Sequence, residues 1–546
     1  MRKVDSEERR MVYLRVYTRE ILGEEYPSAL ANSVHMALQV EGEEEKPLNQ
    51  NYGILFPKAK ICGDNTLEER GVRSPGVFRR GNTYFIVGEQ VDGLGHPVRT
   101  EENRWIAWET EDFVHFRESA AEADFKEIWE RISLPEELIP GIRERWIPLQ
   151  AVSVSLPERV VLESPEELEK LRGTVTYSDG SVDEKPICWE KASLERLENN
   201  SYRIQGRMEV IDTGFPLTVG LADPVIFAWE GKWYFTATND NRNDIGLYVR
   251  CADSVKGLFV EGAEEKCILD YDEARGLCQT FWAPEFHVIG GRLYLLFAVS
   301  DQNWGPQCHM MRLKEGGEIM RAEDWEDPIR VRRQDGSYLT EDGITLDMTH
   351  FEAGDKNYLV WSYRYGIGSK QDTGSMLYIA ATDKESPWQL TSEPVLLSRP
   401  LFGWENQSGT INNEGPYPLL LGETIYLAFS GGAACGPAYV VGYLKAKVSD
   451  ELLDASAWEK EPTAVLHLQS IEGIVGPGHN SFFYDEEGRL MIAYHAQERE
   501  KYFCRCSAYH RVHLSKSGFP LLNVAGERDL PEEMAEVSLE FELHEK

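Results

Sequence analysis

A hairpin recurs along the C-terminal part of the chain, and it constrains the fold more than any other feature. A glycine turn leads into a strand at 231–234, 291–294, 354–358, 422–426 and 488–491. Successive units end 60, 64, 68 and 65 residues apart. A period this long leaves room for several strands per unit, which predicts the blades of a β-propeller. Five units predict five blades. The expected fold class is therefore all-β, with a five-bladed β-propeller over 213–546. A related hairpin at 81–84 lies 150 residues before Tyr234. It reads as part of an accessory region of similar design rather than as a sixth blade.

At 546 residues the chain exceeds one ordinary core, so two or three domains are expected. Its 92 acidic against 57 basic residues give a formal charge of -35. Such a surface repels phosphate backbones and anionic bilayers, which excludes nucleic acid and membrane as expected partners. The nine cysteines are odd in number, scattered and without a CxxC pair. They read as free thiols in a reducing compartment rather than a disulfide framework or zinc site. The charged start, Met1-Arg2-Lys3-Val4-Asp5, has no apolar signal core. No run of about 18 apolar residues exists. A cytoplasmic location is expected; the oligomeric state is left open.

Residues 1–147 form a mixed, mainly β accessory region. Strands are expected over 73–89 and 104–116, and a helix over 120–135. Residues 148–212 differ: Val152, Val154 and Leu156 alternate, short strands flank an Asp179-Gly180 turn, and a helix is expected over 165–171. Tyr177-Ser178-Asp179-Gly180-Ser181 followed by Trp189 resembles the signature of bacterial immunoglobulin-like domains. The resemblance implies a small β-sandwich acting as a spacer.

Three acids stand before the hairpins. Asp223 lies in Ala222-Asp223-Pro224, Asp347 in Leu346-Asp347-Met348 and Glu414 in Asn412-Asn413-Glu414-Gly415-Pro416-Tyr417. Counted to the turn glycines Gly231, Gly354 and Gly422, the offsets are 8, 7 and 8. Any one acid in so acidic a chain is unremarkable. Acids at matching places in a radial repeat converge on its axis, and three converging carboxylates suit glycoside cleavage.

These motifs, with Trp282-Ala283-Pro284-Glu285 and Gly476-Pro477-Gly478-His479-Asn480-Ser481, resemble in the same order those of glycoside hydrolase family 43. The resemblance spans about 215–525. It implies a five-bladed propeller and an inverting mechanism. Asp223 takes the place of the general base, Glu414 of the general acid, and Asp347 of the carboxylate that orients the acid and raises its pKa. It also implies a calcium or similar ion on the axis, held by His479 with waters, and no organic cofactor. Pentose rings stack on aromatics, so Trp282, Phe281 and Trp404 are candidate platforms, with Glu285 bracing the pocket. Arg505 and Arg511 both fall where some relatives place a sugar-binding arginine. The expected activity is an exo-glycosidase removing α-L-arabinofuranosyl residues from oligosaccharides. β-Xylosidase activity and a catalytically silent carbohydrate-binding propeller stand as alternatives.

Overall fold

The computed structural model describes residues 10–98, 104–119, 128–197, 200–209, 215–407, 410–499 and 501–544. The chain forms two compact units. One comprises Met1–Ile142 and Phe215–Tyr509, the other Arg143–Gly214 and His510–Lys546. The expected boundaries at 147 and 212 are redrawn in two ways. The N-terminal region joins the repeat in one unit, and the last 37 residues leave it for the other.

In the first unit, five four-stranded antiparallel sheets follow one another along the chain. Their inner strands carry the site and are labelled after the N-terminal strand β1 (Arg70–Arg80). They are β2 (Leu221–Trp229), β3 (Gln279–Ile289), β4 (Ile344–Ala353), β5 (Asn413–Leu421) and β6 (Ile474–Tyr484). Each packs against the next, and β6 packs against β2, so the five strands close a ring. This is a β-propeller. The short strand Thr218–Val219 pairs with Cys506 and Ser507 and becomes the outer strand of the last sheet, joining the two ends of the ring.

Strands near the axis are covered on both faces and read as continuous apolar runs, as in Arg292–Ser300 (RLYLLFAVS). Apolar clusters fill the spaces between neighbouring sheets. One of them also takes in Tyr26, Leu30, Tyr52 and Phe56 from the N-terminal region. The repeated hairpin glycines do what their spacing predicts. Gly231, Gly291, Gly354, Gly422 and Gly488 all have positive φ, from 58 to 77°, a conformation glycine adopts without a Cβ clash.

Sequence expectations in the N-terminal region divide. Arg70–Arg80, Thr83–Asp92 and Trp105–Thr110 pair as expected. The helix over 120–135 is not found where the chain is described. Arg131–Ser133 is a strand on Val12–Tyr17, and helix begins only beyond Pro135; residues 120–127 lie outside the described residues. In the second unit a seven-stranded sheet includes Arg172–Tyr177 and Val182–Trp189 around the Asp179-Gly180 turn. The C-terminal strand Glu536–Leu543 pairs with Ser201–Met208 in this sheet. A buried Lys185–Asp529 ion pair at 2.8 Å ties the two chain segments together. Among the described residues no helix is long and apolar enough to cross a membrane. All nine cysteines are free.

Candidate active site

Every inner strand of the ring breaks its ladder with a β-bulge. Each strand has a left-handed residue at such a bulge, Asp223 (φ 54°), Ala283 (46°), Asp347 (53°), Gly415 (55°) and His479 (46°), and β3 and β6 carry a second bulge with Thr280 and Gly476 left-handed. Left-handed geometry in a non-glycine residue is costly and persists where the surroundings fix it. A bulge re-aims its side chains out of the sheet pattern, and a ring of five re-aims them about one axis. The sequence motifs were built on these residues. His479 lies inside β6.

Asp223 is buried and ringed by Arg505, two imidazoles and a threonine hydroxyl. Its Oδ1 lies 2.9 Å from His495 Nδ1, 3.2 Å from His479 Nδ1 and 3.4 Å from Arg505 Nη1. Thr238 Oγ1 donates to Oδ2. Burial alone would raise its pKa, but His479, Arg505 and His495 together hold the carboxyl well below the usual range. Glu414 has opposite surroundings. It is buried, beside Asp347, with the Tyr439 hydroxyl donating to Oε1 at 2.9 Å. Burial first, then the charge of Asp347, pushes it up to about 8. Asp347 is raised too, by burial and by Asp223, against the pull of His479. It accepts from the Gly415 N–H at 3.1 Å and from Ser362 Oγ at 3.3 Å, so its carboxylate grips the backbone next to Glu414.

The remaining candidates separate. Arg505 is in the site, bridging Asp223 and Asp240, and the latter accepts from Nε at 3.0 Å. Arg511 belongs to the second unit, where it pairs with Asp183. Trp282 is partly exposed and precedes the left-handed Ala283. Phe281 and Trp404 are corrected: both are fully buried core residues and no sugar can stack on them. Trp404 lies against Gly442, where a Cβ would come within 2.4 Å of the indole, and its Nε1 donates to the Pro462 carbonyl. Truncating so buried a tryptophan costs about 3–5 kcal/mol. Glu285 is buried with its Oε2 2.7 Å from His287 Nε2. Burial holds its pKa well above the usual range, and Asp347 adds to the rise.

Sequence reading missed His495, Tyr439, Thr238 and Asp240. Each meets its partner only through the fold; His495 and Asp223 are 272 residues apart. The ion implied on the axis meets a poor donor set. Calcium takes about six to eight oxygen ligands. His479 Nδ1 faces Asp223, its backbone N–H donates to Ser430 Oγ, and among the described residues no three His, Cys, Asp or Glu side chains gather as a metal site. These residues form no all-protein calcium cage; His479 alone would hold such an ion, with waters completing its shell.

A propeller whose axis collects buried carboxylates in opposite electrostatic surroundings is equipped as a glycoside hydrolase. The chain belongs to the glycosyl hydrolases family 43, whose family model matches residues 217–520. A relative from Streptomyces avermitilis, named extracellular exo-alpha-(1->5)-L-arabinofuranosidase, is 30% identical over 51% of this chain and 55% of its own length. One of the same name from Streptomyces chartreusis is 31% identical over 52% of this chain and 82% of its own. The chain thus spans about half the length of the first of these relatives. A solved structure of an alpha-L-arabinofuranosidase from Lactobacillus brevis, 28% identical, covers 56% of this chain and 95% of its own with a TM-score of 0.49.

Proposed function

We propose that the protein is an inverting exo-glycosidase that releases terminal α-L-arabinofuranosyl residues from oligosaccharides. The contrast between Asp223 and Glu414 carries this reading. One buried carboxylate is held ionised by His479, His495 and Arg505, the other is kept protonated by burial and Asp347. That is the division of labour inversion needs. Asp223 accepts a proton from water as the water oxygen attacks the anomeric carbon. Glu414 delivers its proton to the departing glycosidic oxygen as the C–O bond breaks. Inversion sets such carboxylates about 6.5–9.5 Å apart, leaving room for the water. Asp347 raises the pKa of Glu414 and orients it through the Gly415 N–H. Arg505, paired with Asp240, is the cation nearest the base and the best-placed donor for a sugar hydroxyl. The arabinofuranosyl choice takes its support from the names of the two Streptomyces relatives. The cytoplasmic reading rests on the nine free cysteines, although those names carry the word extracellular.

The test is hydrolysis of p-nitrophenyl α-L-arabinofuranoside and β-D-xyloside by the parent and by Asp223→Asn, with the anomer of the first product followed by NMR. Release of arabinose as the inverted anomer, lost in the variant, is expected. Cleavage of the xyloside alone would transfer the reading to β-xylosidase, and binding without cleavage of either would make the chain a carbohydrate-binding propeller.

A further inference from the structure

We propose that His495 and Tyr439 form a stacked spacer that joins the two reacting carboxylates and sets the gap between them. This inference rests on the roles given above to Asp223 and Glu414. His495, in the strand Leu490–Glu498, is fully buried. Its Nε2 lies 3.1 Å from the Ala434 carbonyl oxygen, and its Nδ1 lies 2.9 Å from Asp223 Oδ1 and 3.3 Å from the Asp223 backbone nitrogen. Its ring is nearly parallel to that of Tyr439, with centroids 5.3 Å apart and 7° between planes. Tyr439 is also fully buried, and its hydroxyl donates to Glu414 Oε1 at 2.9 Å. The connection therefore runs Asp223, His495, Tyr439, Glu414 without a gap.

The surroundings hold this pair still. Ala434, which fixes the far edge of His495, and Tyr439 lie on the same inter-strand connection. Gly478 packs beneath the tyrosine so closely that a Cβ there would lie 2.3 Å from its ring. Offset parallel rings resist sliding and tilting. Inversion depends on a fixed distance between base and acid. A stack of two planar rings, bonded at each end to one carboxylate, supplies that distance more rigidly than two side chains packed independently. Each ring acts through the carboxylate it holds, so both are positioning residues.

Leaving-group dependence tests this. Tyr439→Phe keeps the stack and deletes the hydroxyl that bonds Glu414 and meets the Ser430 side chain. Against an arabinobiose, whose leaving group needs a proton, kcat should fall about tenfold. Against p-nitrophenyl arabinofuranoside it should stay within about twofold, and the basic limb of the pH profile should move upward because a donor to the carboxylate is gone. His495→Phe keeps a ring but loses the bond to Asp223; kcat should fall about 100-fold on both substrates with KM unchanged. The double variant should lose much less than the product of the two, as coupled residues do. Overturning results are equal loss on both substrates for Tyr439→Phe, an unmoved pH limb, or a double variant that multiplies the single losses. Tyr439→Phe removes one oxygen and leaves the packing intact, so it decides the matter even where His495→Phe fails to fold. Parent activity and its loss in Asp223→Asn judge the glycosidase reading separately from these ratios.

Discussion

The first unit contains the same backbone device in two places with different contents. In β2, Ala222-Asp223-Pro224 forms a bulge with a left-handed Asp223. In β1, Arg73-Ser74-Pro75 forms a bulge with a left-handed Ser74 (φ 48°). Each left-handed residue stands six positions before the last paired residue of its strand, Trp229 or Arg80, and each hairpin turns on a left-handed glycine. Yet Asp223 is buried among His479, His495 and Arg505, whereas Ser74 is exposed. The strand β1 packs against Val12–Tyr17 and Arg131–Ser133, and its sheet is separate from the five of the ring. The bulge is thus a scaffold that aims a side chain; chemistry arises only where several such scaffolds aim at one point and supply each other's charges.

The comparison breaks most visibly at Asp223. Asp223→Ser gives β2 the content of β1, and kcat is expected to fall by about 10³–10⁴ while circular dichroism stays that of the parent. A loss under tenfold would mean that the ring's geometry, not its carboxylate, carries the reaction. The pH profile comes next. Glu414 must hold a proton, so kcat/KM is expected to fall about tenfold per unit as pH rises beyond about 8. On the acid side Asp223 is held well below the usual range, so its protonation should produce no falling limb down to about pH 5. A basic limb near 5 would show that the surroundings of Glu414 do not separate it from an ordinary carboxylate.

Smaller effects sharpen the scaffold itself. Gly415→Ala places a Cβ 3.0 Å from the His479 ring at φ 55°. It should cost about 1–2 kcal/mol of stability and several-fold in kcat, because the Gly415 N–H that holds Asp347 must shift. Melting temperature and steady-state kinetics read the two separately. The least effect is expected from Ser74→Asp, which gives β1 an acid at the matching place. Activity should be unchanged and stability within about 0.5 kcal/mol. A change in kcat beyond threefold would connect the N-terminal sheet to the reaction after all.

Hairpins and acids were legible in the sequence because turn glycines, prolines and apolar runs are local signals. The finer register was not. Glycine counts place Asp223, Asp347 and Glu414 at equivalent positions, but Glu414 precedes its left-handed residue by one, opposite Ser430 where Ala222 faces Thr238. The count slipped because glycine is the second turn residue in Glu230-Gly231 and the first in Gly354-Asp355 and Gly422-Glu423. Trp404 and Phe281 misled for a related reason: an aromatic beside a motif looks the same whether it faces sugar or core. Arg505 and Arg511 were inseparable in sequence, since they lie on one strand, and only the division into units tells them apart. The return of Glu536–Leu543 to pair with Ser201–Met208 leaves no local trace, because the partners lie more than 300 residues apart.

The ring also has a seam. The chain runs from each sheet into the next, but the last sheet is assembled from both ends of the ring, Thr218–Val219 and the three strands from Ile474 to Arg511. The last sheet is closed by the pairing of Thr218–Val219 with Ser507 and Cys506, supported by the Ser507 hydroxyl on the Leu221 carbonyl and that of Ser481 on the Pro224 carbonyl. Arg505 sits on the strand that makes this seam, and Asp223 follows directly behind it. Fraying here would carry the guanidinium away from the carboxylate before any sheet unfolds. Amide exchange at 217–220 should therefore report loss of the working site earlier than any global probe of unfolding.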